Sequence, residues 1–371
     1  MGTDNVIKIL QITLSGKGGM VHYTSQLSNA ISKKAEVYLV ASSDSDFYLF
    51  DKSINLVQID FYNSKKSVLL NTILIHRALS FLRKIYSINP DVIHLQSFHP
   101  WMCLFLPFLK KFRIITTIHD VTPHPGSRKF IQKVVQPFHI KYSDALIVHG
   151  SYAKTKLEEN VSQKEIFVIP HGDYSFFTKL GISDIEEEAG NVLFFGRIAD
   201  YKGLHYLIQA VPKIARFIPN LKVVIAGSGD FEEKEYVENN PYFELNNRFI
   251  EDAEVATFFQ KASVVVLPYI ECTQTGIIPI AYAFKKPVVV TNVGCIPDVV
   301  ENGRTGFIIP PKDPDSLADA LIDILKDESL RKEMGKNAYI KMKKELSWDS
   351  IAEKTFLVYT RVLEKREKII D

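Results

Sequence analysis

Short runs of aliphatic and β-branched residues alternate with longer stretches of helical periodicity along the whole chain. In the first half the pattern predicts strands over 6–14, 36–41, 55–60, 91–95, 113–118, 144–148 and 166–169, with helical patterns at 20–32 and 69–88 between them. The second half restarts the rhythm. Strands are predicted over 191–195, 222–226, 248–251, 263–267, 287–291 and 306–309, and helices over 201–217, 253–261 and 316–326. Strands this apolar, separated by helices, imply parallel sheets covered on both faces. Two such series imply two doubly wound α/β domains, with a boundary in the polar, acidic segment 173–190. In open α/β sheets ligands bind beyond the carboxyl ends of the strands. The loops after strands, and a cleft between two facing domains, are therefore where function is expected.

Composition narrows this picture. A chain of 371 residues exceeds one compact core, and 46% apolar with 24% charged residues excludes a disordered chain. No run approaches the ~20 apolar residues of a membrane span. Lys8 and Gln11 interrupt the first apolar stretch, which reads as a strand rather than a signal peptide, and Val6 stands where a myristoylation site wants Ser or Thr. Three scattered cysteines (Cys103, Cys272, Cys295) offer neither a disulfide framework nor a metal ladder, pointing to a reducing cytosol. The net charge of +2 hides an asymmetry: residues 1–173 carry +7 and the remainder −5, and nine of ten histidines fall in the first part. A basic first half suits a negatively charged partner.

Four loops carry candidate chemistry. Ser15-Gly-Lys-Gly18-Gly19-Met20 links the first strand to a helix, where glycines let backbone amides approach an anion. It is neither GxGxxG, because Val21 takes the last glycine position, nor a P-loop, and a tight turn explains it equally well. His119-Asp120 closes the strand 113–118, and a histidine there can donate to a substrate hydroxyl or phosphate. Gly196-Arg197 and Lys202-Gly203 place two cations at one strand-to-helix junction, a fork and a point charge suited to a diphosphate. Finally, Glu271-Cys-Thr-Gln-Thr275-Gly276-Ile277-Ile-Pro279 enters a helix, with Thr275 as a cap and free amides around Gly276 and Ile277 as a second anion cradle.

Other features read as structural. Asp44-Ser-Asp46 and Asp313-Pro-Asp315 lie far from the phosphate candidates, and His94, His99, His119 and His124 lack the company of a zinc site, so no metal ligand is assigned. Two stretches, 69–88 with His76, Arg77, Arg83 and Lys84, and 98–113 with Trp101, Phe105, Phe108, Lys110, Lys111 and Arg113, combine basic and apolar residues as interfacial helices do. Ordinary amphipathic helices packed on a sheet have the same pattern.

The series Gly18-Gly19, His119-Asp120, Ile169-Pro-His-Gly172, Gly196-Arg197 through Lys202-Gly203, Val224-Ile-Ala-Gly-Ser-Gly229, Val266-Leu-Pro268 and Pro297-Asp-Val-Val-Glu-Asn-Gly-Arg-Thr-Gly306 resembles glycosyltransferase family 4 over nearly the whole chain. The resemblance implies retaining enzymes of the GT-B fold, with two Rossmann-like domains facing across a cleft. Residues 1–173 would bind an acceptor, 174–351 a nucleotide-sugar donor, and a final helix, 352–371, would pack back on the first domain. Arg197 and Lys202 would hold the donor diphosphate, with Gly18, Gly19, Gly196, Thr275, Gly276 and Ile277 close to phosphate or sugar. His119 would sit beside the transferring sugar, and the backbone near Ile250 and Glu251 would bind the base. The implied substrates are a UDP- or GDP-sugar and a glycan or lipid-linked acceptor, without a tightly held cofactor or metal. The implied setting is the cytoplasm, at the inner face of an anionic membrane.

One departure matters. The family shows two glutamates separated by seven residues, and this chain has Thr273 and Ala281 there, with Glu271 two residues early as a replacement for the first. The expected activity is hexose transfer with retention. A nucleoside-diphosphate leaving group held by cations makes this feasible without a pair of carboxylates. The alternatives are a sugar-nucleotide epimerase or hydrolase on the same fold, and a non-catalytic nucleotide- or glycan-binding relative.

Overall fold

A computed structural model describes residues 6–14, 18–43, 45–59, 75–122, 131–180 and 185–370. Residues 15–17, 44, 60, 69–74, 123–126 and 181–184 of the segments read above lie outside that set, as do the side chains of His76 and Arg77. The chain divides into two compact units, Met1–Gly172 with Trp348–Asp371, and Asp173–Ser347. The seams fall one and four residues before the expected boundaries, because the return to the first unit begins with the helix that opens at Trp348.

The first unit is built on seven parallel strands: β1 (Lys8–Ile12), β2 (Glu36–Ser42), β3 (Asn55–Ile59), β4 (Val92–Leu95), β5 (Arg113–Ile118), β6 (Ala145–Val148) and β7 (Glu165–Val168). Their order is β3-β2-β1-β4-β5-β6-β7. Apart from the edge strands, of which β3 is largely exposed, the strands are buried because helices cover both faces. Helix Gly19–Ile31 buries Val21, Tyr23, Thr24, Leu27, Ala30 and Ile31, the i, i+3, i+4 stripe of an amphipathic helix. Its stripe packs with Ile351, Tyr359 and Val362 of helix Trp348–Ile370 over one face of the sheet. The other face carries Phe81 and Ile85 of helix Ile75–Ile88, together with Trp101, Phe105 and Leu109. The segment 98–113 forms one short turn of α-helix and one of 3-10 helix rather than a long amphipathic helix. Pro107, with no N–H to donate, stands where the first gives way to the second.

The second unit repeats the plan with six parallel strands: β8 (Asn191–Phe195), β9 (Lys222–Ala226), β10 (Phe243–Asn246), β11 (Val264–Leu267), β12 (Val288–Thr291) and β13 (Gly306–Ile309). Their order is β10-β9-β8-β11-β12-β13. The strand expected over 248–251 is not one. Pairing with β9 falls on Phe243–Asn246, and Glu251 instead caps helix Asp252–Lys261 in a reciprocal capping box with Glu254. Phe243-Glu-Leu-Asn246 alternates apolar and polar residues as a strand does, whereas Phe249 and Ile250 are adjacent apolar residues, and the hydrogen-bonding neighbour decides the strand.

Candidate functional site

Each sheet grows in one direction from its first strand and then in the other, so β1 and β4, and likewise β8 and β11, are neighbours with a topological switch between them. The loops leaving such a pair diverge and open a crevice at the carboxyl ends. Gly18 and Gly19 follow β1, Gly196, Arg197 and Lys202 follow β8, and Glu271 to Ile277 follow β11, all on such loops, whereas His119 follows β5 and Ile250 and Glu251 follow β10.

In the second unit Gly196-Arg197 leave β8, and Lys202 ends a short 3-10 turn, Asp200–Lys202. Arg197 Nη2 donates to the Tyr201 hydroxyl at 2.8 Å, and Lys202 Nζ donates to the Tyr269 hydroxyl at 2.7 Å, lying 4.5 Å from that ring's centroid. Gly196 has φ of 103°, and a Cβ there would stand 3.5 Å from Lys202 Nζ and 3.6 Å from Ile277 Cδ1. The β8 loop, the lysine and the helix start Ile277–Ala283 therefore meet within a few ångströms, as the sequence implied. Burial lowers the Lys202 pKa. Tyr201 and Cys272 work the other way, while Arg197 adds to the lowering. Its hydrogen-bond partner is a phenol, a weak counterpart for a desolvated ammonium, so an anionic ligand gains from meeting it.

The helix start is less rich in amides than expected. Gly276 is the cap residue rather than Thr275, whose hydroxyl instead accepts from Ile277 N–H at 3.2 Å, and Pro279 has no N–H. Glu271 is solvent-exposed, whereas Thr273 and Ala281 are buried. Ile250 is buried, and Glu251 spends its N–H on the Glu254 carboxylate and its C=O on the Glu254 N–H.

The first unit carries a different chemistry. Gly18, with φ of 77°, precedes helix Gly19–Ile31 and its carbonyl accepts from Val21 and His22 N–H. Register places Gln11 and His94 side by side on one face of the sheet, and the alternation puts Thr13, Gln96, Thr117, His119 and His149 on that same face near the carboxyl ends. Most of these polar side chains are knitted together beneath the two covering helices, although the buried Thr13 hydroxyl finds no partner among the described residues. Ser28 donates to Gln11 at 2.6 Å, and His94 bridges the Tyr359 hydroxyl and the Thr117 hydroxyl, both at 2.7 Å. His149 Nδ1 lies 3.0 Å from the Ile169 carbonyl, which can only accept, so that nitrogen carries the proton. Its Nε2 lies 2.9 Å from His119 Nδ1.

Tyr23 stands among His119, His149 and His171, with ring centroids 4.9, 5.3 and 5.1 Å away. Burial lowers the pKa of His94 and His119 to about 3, of His171 to about 4, and of His149 well below the usual value. All four are neutral at pH 7. Here the structure qualifies the reading of His119: Nδ1 is turned to His149 and Nε2 is buried, so neither ring nitrogen faces solvent. His149 was not singled out from the sequence, and His171 entered only as part of Ile169-Pro-His-Gly172, with no role assigned. The signal was present, since four of the strands end, or are followed at once, by polar residues of the same parity, but each histidine by itself looks like an ordinary loop residue.

Residues 176–341 match the family model of the group 1 glycosyl transferases, and residues 17–172 match that of glycosyltransferase family 4. The chain belongs to the group 1, family 4 glycosyltransferases. It is 30% identical over 246 residues to a glycosyltransferase of Methanocaldococcus jannaschii, an alignment spanning 64% of this chain and 59% of that protein. It is 29% identical over 225 residues to the phosphatidyl-myo-inositol mannosyltransferase of Mycolicibacterium smegmatis, spanning 59% and 57%. The alignments thus cover less than two thirds of either relative. Its fold is that of sucrose-phosphate synthase from Thermosynechococcus elongatus (TM-score 0.77, 19% identity, 97% of this chain and 100% of the other). HepE of Anabaena, in complex with UDP and glucose, superposes with TM-score 0.69 at 17% identity, over 96% of this chain and 100% of that one. The glycosyltransferase thus has the GT-B architecture of two Rossmann-like domains. Among its described residues no helix is long and apolar enough to cross a membrane.

Proposed function

We propose that this glycosyltransferase moves a hexose-type sugar from a UDP- or GDP-sugar to a glycan or lipid-linked acceptor, with retention of configuration. The second unit takes the donor and the first the acceptor. The observation that carries the reading is the meeting of Arg197, Lys202 and Gly196 with the Ile277 helix start at the switch point of the second sheet. Two cations whose hydrogen-bond partners among the described residues are phenols suit a diphosphate, and they stabilise the charge that develops on it as the sugar leaves. A phosphate oxygen of the leaving group then accepts the proton of the acceptor hydroxyl on the same face of the sugar. HepE's complex with UDP adds weight to a uridine nucleotide. Glu271, exposed on the loop after β11, is assigned to the donor sugar.

The first unit also supports a peripheral contact with an anionic membrane. Leu104 and Phe108 are more than half exposed, and Tyr86 beside them donates from its hydroxyl to the Phe108 carbonyl. Lys111 Nζ lies 4.1 Å from the Tyr86 ring centroid. Arg113 is excluded from this surface, because it pairs with Asp144 at 2.9 Å within the sheet. Flotation with anionic vesicles that Lys110→Ala and Lys111→Ala leave unchanged would remove this region from the contact.

The donor reading is tested by calorimetric titration with UDP, GDP and ADP and then the matching sugar nucleotides, with and without EDTA. Tight binding of one nucleotide, followed by acceptor-dependent release of that nucleotide from its sugar, is the expected result. Turnover without acceptor points to an epimerase or hydrolase. Binding without any turnover points to a non-catalytic relative, a reading that the buried Thr273 and Ala281 favour.

A further inference from the structure

We infer that Asn247 is a positioning residue for the anion site of the second unit: its side-chain amide adds one rung to the sheet and so fixes the loop that carries Arg197. The inference rests on the donor reading above. Strand β10 pairs with β9 as far as Asn246 opposite Ala226, and there the backbone ladder ends. Beyond it the Asn247 carboxamide takes over. Its Oδ1 accepts from Gly229 N–H at 3.1 Å, and its Nδ2 donates to the Gly229 carbonyl at 2.9 Å. One planar amide thus satisfies both backbone groups of a single residue, as the peptides of a neighbouring strand would.

Gly229 lies directly against the cation loop. Its φ is 155°, and a Cβ there would fall 2.0 Å from the Ile198 carbonyl oxygen, while one on Gly227 would fall 1.9 Å from that of Gly196. Two hydrogen bonds run the other way: Gly196 N–H donates to the Ala226 carbonyl and Ile198 N–H to the Ser228 carbonyl, both at 2.9 Å. Arg197 therefore sits between two residues pinned to the 226–229 segment, and Asn247 pins that segment from its far side. Asn247 itself touches neither Arg197 nor Lys202 in this network. Loss of its amide returns both Gly229 groups to water and lets the backbone origin of Arg197 wander. Aspartate keeps only the accepting half and sets its second oxygen against the Gly229 carbonyl, and alanine keeps neither.

The test compares wild type with Asn247→Ala and Asn247→Asp by two readouts. The first is hydrogen exchange at Gly229 and Ile198. The second is calorimetric titration with UDP, GDP and inorganic pyrophosphate. Exchange at both amides is expected to rise about tenfold in Asn247→Ala. Affinity for the nucleotide that wild type prefers is expected to fall about tenfold in Asn247→Ala and less in Asn247→Asp, with kcat at saturating donor within about twofold of wild type. A purely structural role would instead lower Tm with affinity intact. Unchanged exchange, or raised exchange with unchanged affinity, overturns the role of Asn247 alone. Failure of wild type to bind any of the three ligands, with exchange raised in Asn247→Ala, overturns the donor reading and leaves Asn247 as a loop brace with nothing to position.

Discussion

The two units share one topology and spend it differently. Both are parallel sheets with a switch between the first and fourth strands, and both put polar residues at the carboxyl ends. The first fills that edge with neutral groups: histidines that burial strips of charge, glutamines and threonines in a hydrogen-bonded layer under two helices. The second puts cations there, with tyrosines for partners, and stiffens the loops around them. The difference shows that strand order supplies only the crevice. Side-chain ionisation decides whether the crevice suits hydroxyls or phosphates.

Acidification separates the units most strongly. Six histidines of the first unit, His94, His99, His119, His139, His149 and His171, have pKa values pushed below the ordinary 6.5, all mainly by burial. Facing them are Tyr23, Tyr359, Asp120 and one another. As pH falls through 6.5 the unfolded chain takes up protons that the folded unit refuses. Stability is therefore full above pH 6.5, declines below it, and levels off only near pH 3–4. Each histidine contributes a slope of about 1.4 kcal/mol per pH unit in that window. Hydrogen exchange at pH 5 should show β4–β6 opening well before β8–β12, whose unit holds only the exposed His205. Equal loss in both would break the comparison.

A substitution confined to the second unit should do the reverse. Glu187 bridges Lys286 at 2.8 Å and Arg331 at 2.9 Å, both cations nearly buried. Burial raises the Glu187 pKa, but the two cations outweigh it and hold the carboxyl low. Glu187→Gln leaves two neighbouring cations without their anion and should cost about 3 kcal/mol. Unfolding followed through each unit should show the second destabilised and the first unchanged.

Arg197→Ala addresses the chemistry rather than the fold. Loss of one charged hydrogen-bonding group to the diphosphate should weaken UDP or GDP binding by roughly 1.5–3 kcal/mol, with Tm nearly constant. Unaltered affinity in calorimetry would take Arg197 out of the donor site. The smallest effect is expected at the pair Lys33–Asp349, 2.6 Å apart but largely exposed, which ties helix Trp348–Ile370 to the first unit. Lys33→Ala should lower that unit's stability by less than about 1 kcal/mol, as read from its thermal midpoint. A larger loss would mean that charge matters to the first unit more than its buried neutral layer suggests.

Much of this could be read from residues alone. Apolar runs at 191–195 and 222–226 gave strands with no error in their ends, because fully buried parallel strands need unbroken aliphatic sequence. Arg197, Lys202 and Gly276 stood out because cations and glycine after a strand are poorly explained by packing. β10 was misplaced although Phe243-Glu-Leu-Asn246 alternates apolar and polar residues, because the edge of β9 that it pairs with leaves no mark along the chain. The histidine layer escaped because its members lie up to 77 residues apart, from His94 to His171.

Sequence by itself determined the two-domain α/β plan, the strands that form each core, and the residue types gathered at the proposed donor site. Hydrophobic periodicity and local turn chemistry act over a few residues and leave their record in order along the chain. Tertiary structure alone decided which nitrogen of His149 holds a proton, that His119 turns both of its nitrogens inward, and that Asn247 completes the ladder beside Arg197. Those outcomes depend on groups brought together across strands, and hydrogen-bond geometry and desolvation act only once the groups have met.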